Sequence, residues 1–234
     1  MATPAHTDRL PLRVHEDGSI EGRTADRVRR THSARLWFLD DIVVKRKRPV
    51  DFGFLDFRSL ESRIVACERE VELNRRLGGD TYLGVADVVD DAGTIVDAAV
   101  VMRRLPDELR LSTRALAGDD LSGCVRRLGR DLARFHADQP AAASADDLAS
   151  AAAVRANWED NLAVLADHPE LADPALVADL AHEARTWLDG RDDLFAGRIA
   201  AGMVRDGHGD LVADDVFCLP DGPRVLDCLD FSDR

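Results

Sequence analysis

At 234 residues, 45% of them hydrophobic and 32% charged, the chain can bury the core of one large domain or of two closely packed lobes, which excludes a disordered tail and a disulfide-stapled miniprotein. A formal net charge of −13 works against nucleic-acid backbones and anionic membrane surfaces while tolerating a cationic substrate. The alanine-rich stretch over residues 141–154 is broken by Ser144, Asp146, Asp147 and Ser150, and the opening residues reach no apolar signal core, so the expectation is a cytoplasmic protein with no membrane and no nucleic-acid partner.

Residues 1–30 mix turn formers and charges without a sustained period and read as a loosely packed lead-in. Leu36 to Leu39, the turn Asp40-Asp41, and Ile42 to Lys45 predict a β-hairpin. After Pro49 and the aromatic group Phe52, Phe54 and Phe57, the apolar residues Leu60, Ile64, Cys67 and Val71 recur at helical spacing and predict a helix over residues 59–77, stopped by Gly78-Gly79. Two strands follow, over 82–89 and 94–102, around the turn Asp90-Asp91-Ala92-Gly93. From Leu121 the period becomes helical: Leu121, Val125, Leu128, Leu132 and Phe135 line one helix face, and residues 154–166 and 174–188 are again helical. Short strands return over 215–219 and 224–231 around Pro220-Asp221-Gly222-Pro223. Cys67, Cys124, Cys218 and Cys228 show neither the CxxC spacing of a zinc site nor a disulfide framework, and all are read as small buried hydrophobes.

The chemistry concentrates near the C-terminal end, in His208-Gly209-Asp210-Leu211, in Asp215 five residues after Asp210, and in Val225-Leu226-Asp227-Cys228-Leu229-Asp230-Phe231 beyond a short hairpin. Taken singly, with 44 acidic residues in the chain, each aspartate reads better as a solvated loop carboxylate or a helix cap. Taken together, the stretch resembles the aminoglycoside phosphotransferase and choline-kinase-like family, whose catalytic loop reads HGDLxxxN and whose metal strand ends in an apolar-Asp-aromatic step. The run Val43-Val44-Lys45-Arg46-Lys47-Arg48-Pro49-Val50, followed by Phe52-Gly53-Phe54-Leu55-Asp56-Phe57, is similar to a subgroup of phosphotransferase-like domains found ahead of a P-loop ATPase-like domain.

The resemblance implies an α+β, two-lobed protein-kinase-like fold: a small antiparallel-sheet N-lobe with one helix over 31–105 and a mainly helical C-lobe over 106–234, incomplete at its end, after the lead-in 1–30. It implies ATP and Mg2+ as cofactors, a small-molecule hydroxyl as acceptor, and a fused or separate P-loop ATPase-like partner. Phosphoryl transfer needs a carboxylate to accept the acceptor's proton and oxygen ligands for magnesium. Carried over, Asp210 is the base, Asp215 (where the family has Asn) is one metal ligand, and Asp230 is the other, with Asp227 competing for that role. A strand lysine held by a helix glutamate should reach the phosphates. Lys45 fits, with Lys47 as runner-up. Helical periodicity does not choose between Glu68 and Glu70, and the family's Arg-Glu step favours Glu70. Ser33 stands where a phosphate loop belongs, and Met102 and Arg103 stand at the hinge whose backbone meets adenine. His208 is read as a packing residue of the loop. The rival reading is a catalytically inactive kinase-like module that binds nucleotide or a protein partner.

Overall fold

The computed structural model describes residues 9–53 and 55–229. Six strands, β1 (Arg9–His15), β2 (Arg27–Arg30), β3 (Ala34–Phe38), β4 (Ile42–Lys47), β5 (Tyr82–Val89) and β6 (Ile95–Arg103), form one sheet in the order β1-β5-β6-β4-β3-β2. β1 runs parallel to β5 and the other neighbours are antiparallel. The antiparallel sheet expected over 31–105 is therefore a mixed sheet, and part of the expected loose lead-in supplies two of its strands. Leu10, Leu12 and Val14 alternate along β1 and pack on one sheet face, which is what a strand with one buried side requires. Pro11 is tolerated because β1 is an edge strand, and the register against β5 shifts between Arg9 and Arg13. At the opposite edge all four residues of β2 are exposed, and three of them are arginines.

Helix α1 (Leu60–Gly78) starts where the Ser59 side chain accepts from the Ser62 amide, 3.0 Å away. Its Cys67 and Val71 pack with Val43, Tyr82, Val85, Ala98, Val100 and Met102 on one sheet face. The other face carries Val14, Ile20, Trp37, Leu39, Val44, Ala86, Val88, Ala99 and Val101. β5 and β6 are covered on both faces, which accounts for their nearly unbroken apolar sequences. A buried ion cluster ties α1 to the sheet. Asp97, 1% exposed, accepts from Arg63 Nε at 2.9 Å and from Arg46 Nε at 2.7 Å, while Arg63 also donates to the carbonyls of Phe57, Arg58 and Ser59.

Beyond the sheet come α2 (Leu111–Leu116), α3 (Ser122–Asp138), α4 (Ala145–Ala149), α5 (Ala151–Asp167), α6 (Pro174–Leu188), α7 (Asp192–Ala200) and the hairpin β7 (Val216–Leu219) with β8 (Gly222–Val225). The expected strand over 224–231 ends at Val225. The described chain divides into two compact units, one of residues 9–135 and 208–229, the other of residues 136–207. The second unit is helical: α5 and α6 pack together around Leu162, Ala181 and Leu188, with Arg185 bound to both Glu159 oxygens at 2.8 and 2.5 Å. Among the described residues no helix is long and apolar enough to cross a membrane.

The cysteine expectation needs correction. Cys124 on α3 and Cys218 on β7 form a disulfide, their Cα atoms 5.9 Å apart, within the range a bridge requires. The partners are 94 residues apart in sequence, so no local spacing announces them. Cys67 and Cys228 are buried outside that bridge. The bridge also explains a detail of α3: Phe135 is buried as its period predicts, but Val125 is 50% exposed, because the helix turns Cys124 inward instead.

Candidate functional site

β4 alternates, so Val43, Lys45 and Lys47 share the face that α1 covers. Lys45 Nζ lies 2.9 Å from Glu70 Oε1 and 2.6 Å from Asp227 Oδ1, and Lys47 Nζ lies 2.7 Å from Glu70 Oε2. Glu70 is thus shared by two lysines, and the pairing selects Glu70 over Glu68, which faces Arg9 at 3.3 Å. Glu70 is 1% exposed. Burial would raise its carboxyl, but Lys45 and Lys47 hold it below the ordinary range. Burial would likewise lower Lys45, and the charges of Glu70 and Asp227 outweigh this, holding the ammonium well above its usual value. The Lys45 charge, set against the cost of burial, keeps Asp227 ionised below the usual carboxylate range.

Asp227 leaves strand geometry altogether. Its φ is +63°, a left-handed conformation that Asp adopts more readily than most side chains. By Asp227 the chain has already left β8, which ends at Val225. Asp230 lies outside the described residues, as do Phe231 and Phe54. Two buried acceptors hold the turn: the Asp227 amide donates to Tyr82 Oη at 3.2 Å, and the Cys228 amide to Asn74 Oδ1 at 2.9 Å. Asn74, which also donates to Glu70 O at 2.9 Å, was not among the expected site residues, nor was Tyr82. The signal for Asn74 was present: it continues the stripe Cys67, Val71, Asn74 and Gly78, all of them buried, as the one amide among apolar or small residues.

The His208-Gly209-Asp210 loop runs beside this turn. His208 is buried, and its Nε2 faces Leu226 O at 2.9 Å; a carbonyl only accepts, so Nε2 carries the hydrogen. In return the Leu229 amide donates to His208 O at 3.0 Å, and the Leu226 amide to Asp215 O at 2.9 Å. The packing and hydrogen-bonding role expected of His208 describes this arrangement. Gly209 has φ +88°, and a Cβ there would stand 2.8 Å from Leu229 Cδ1, so the close pass of the two segments depends on the missing side chain. Asp210 is exposed. Asp215, on a single 3₁₀ turn (Ala213–Asp215), is pushed up to about 6 by burial, by the charge of Asp227 and, to a lesser extent, by that of Asp210.

The remaining expected residues stand apart from this cluster. Ser33 lies in the β2–β3 turn, where its carbonyl accepts from the Arg48 amide at 2.7 Å. Met102 is 7% exposed, packs in the core under α1, and stands in β6 opposite Val43 of β4 on one side and Tyr82 of β5 on the other. Arg103 Nε, at the end of β6, donates to Asp80 O at 3.1 Å.

No family model matches the chain. The uncharacterized proteins Rv2004c of Mycobacterium tuberculosis and Mb2027c of Mycobacterium bovis are each similar to it, 40% identical over 208 residues, which is 88% of this chain and 42% of theirs. The chain thus spans less than half the length of these relatives. Among solved structures, that of WbdD is 21% identical and covers 49% of this chain and 28% of its own, with a TM-score of 0.30, too slight a likeness to carry an argument.

Among the described residues no three His, Cys, Asp or Glu side chains group as a ready-made metal site. What the loop offers is two hard oxygen donors, Asp215 and Asp227, on segments joined by the bond from the Leu226 amide to Asp215 O, with Asp215 raised by burial first and by the Asp227 charge second. That donor set fits magnesium, which is held by one or two carboxylates with phosphates and water completing its shell. It does not fit a dedicated zinc cage, which needs nitrogen or sulfur ligands.

Proposed function

We propose that the chain is an ATP- and magnesium-dependent phosphotransferase that moves the γ-phosphate to a hydroxyl of a small molecule, with a protein-kinase-like fold of the aminoglycoside-phosphotransferase type. The observation that carries this reading is the position of Lys45, whose ammonium is gripped between a glutamate of α1 and an aspartate of the loop after β8. A lysine needed only for packing would be satisfied by Glu70. One that also meets an exposed carboxylate, 62% accessible, is placed to hand phosphate oxygens to whatever that carboxylate binds.

In this reading Lys45, ordered by Glu70, orients the phosphates. Asp227 and Asp215 hold magnesium, which supplies charge neutralisation at the phosphate oxygens. Asp210, exposed on the loop that His208 and Gly209 fix, accepts the proton of the acceptor hydroxyl. The strongly acidic surface suits a cationic acceptor such as an amino sugar.

Calorimetry of ATP binding with and without magnesium, and acceptor-dependent ADP release over a panel of hydroxyl compounds, test the reading. Asp210→Asn is expected to lower phosphate transfer by about 10²-fold or more while ATP affinity stays close to the parent's. Asp227→Asn is expected to weaken both. ATP affinity indifferent to magnesium, or transfer by Asp210→Asn at the parent rate, would refute the assignment.

A further inference from the structure

In the phosphotransferase reading, on which this inference rests, the metal-binding aspartate must be held in one conformation before nucleotide arrives. Asp227 occupies a left-handed backbone conformation outside any strand, and nothing in its own sequence holds it there: neighbours Leu226 and Cys228 are neither glycine nor proline. We infer that Asn74 and Tyr82 are positioning residues that latch the backbone on both sides of the Asp227 carboxylate, so that α1 sets the lysine's partner and the metal ligand together.

Three observations carry this. First, both acceptors are themselves immobile. Tyr82 is 2% exposed and Asn74 1%, and neither can turn to water without leaving a buried amide unsatisfied. Second, they take consecutive amides, those of Asp227 and Cys228, so the peptide planes before and after the left-handed residue are each held. Third, Asn74 lies one helical turn after Glu70 and donates to its carbonyl, so the glutamate that orders Lys45 and the amide that latches the Asp227 turn belong to one rigid stretch of α1. Lys45, bound to Glu70 and Asp227 alike, closes the circuit. A displacement of α1 would therefore disturb the phosphate-ordering lysine and the metal ligand in one movement.

The test uses the full 234-residue chain with Tyr82→Phe, which deletes one oxygen and keeps the ring, and Asn74→Ala. Hydrogen exchange without ligand should accelerate at the Asp227 amide in the first variant and at Cys228 in the second. In calorimetry, the magnesium concentration giving half-maximal ATP binding should rise about 5- to 30-fold in each, the ratio that one lost buried hydrogen bond supplies. Exchange unchanged at these amides overturns the latch. Faster exchange with unaltered magnesium dependence overturns the positioning role while the phosphotransferase reading stands. A parent chain that binds no ATP at any magnesium concentration overturns that reading, and the inference with it.

Discussion

Replacing Glu70 by Gln keeps the side chain's size and removes one charge from a cluster of two lysines and two carboxylates. In the parent, the Glu70 oxygens lie 2.9 Å from Lys45 and 2.7 Å from Lys47, and the side chains are 1%, 13% and 5% exposed respectively. After the change Lys45 keeps Asp227, but Lys47 loses a buried ion pair, and an amide hydrogen of the glutamine faces an ammonium. Removing one partner of a buried ion pair costs about 3–5 kcal/mol. For a chain of this length each kcal/mol corresponds to about 2–4 °C, so the melting temperature should fall by about 6–20 °C at pH 7. The dependence on pH follows from the direction of each shift. Glu70 is held below its ordinary 4.5, so its contribution is present above that pH and fades as acid protonates it in the folded state. Lys45 is held above 10.5, so its contribution is complete below that pH and fades only in stronger base. The gap between parent and variant should therefore be level from about pH 5 to 10 and close on acidification below about 4.5. Adding Lys47→Met to Glu70→Gln removes the second charge of the broken pair and should recover part of the loss, because an apolar replacement of a whole pair costs little. Thermal melts followed by circular dichroism across pH measure all of this. A Glu70→Gln chain melting within about 1 °C of the parent at pH 7 would mean that the two lysines are not held by this carboxylate, and the reasoning would fail.

Gly209→Ala should destabilise the chain by about 1–3 kcal/mol in urea unfolding, since it places a side chain in a left-handed conformation and drives Cβ into Leu229. Combining it with Leu229→Ala should return the part due to the clash and leave the part due to the backbone. Asp215 is raised to about 6 from an ordinary 3.8, so the folded chain holds a proton that the unfolded chain releases, and stability falls as pH rises between those values. Asp215→Asn should consequently stabilise the protein at pH 7 but not at pH 3.5. The gain should be of order 1 kcal/mol once solvent screening of this half-exposed carboxyl is allowed for, measured by urea unfolding at the two pH values.

The hairpin before Lys45, helix α1 and the pair β5 and β6 were legible because each carries its own period: alternation in the strands, the Leu60, Ile64, Cys67 and Val71 stripe in the helix. Strand β1 was not. Its Leu10, Leu12 and Val14 do alternate, but Pro11 interrupts them, and only pairing with a strand more than 60 residues further on makes that proline acceptable at an edge. The Lys45–Glu70 pair, 2.9 Å apart, was expected from the family resemblance, and the choice of Glu70 over Glu68 came from that resemblance and not from the helical wheel. The Asp227 turn was read as continuing strand because Val225 to Phe231 is apolar enough to be one. The contacts that hold the turn come from Asn74, Tyr82 and His208, outside residues 225–231, and the pattern within those residues carries no trace of them. The Cys124–Cys218 bridge escaped for the same reason.

That bridge also changes what it means to break the chain. Residues 136–207 lie wholly between Cys124 and Cys218, so this stretch, with its flanks, is a closed covalent ring and not an open loop. A protease cutting one peptide bond between residues 136 and 207 opens the ring without parting the molecule. The two pieces stay covalently joined until a reductant opens the sulfur link, and from then on only packing, hydrogen bonds and ion pairs tie the strand lysine at 45 to the loop at 208–210 and the aspartate at 227.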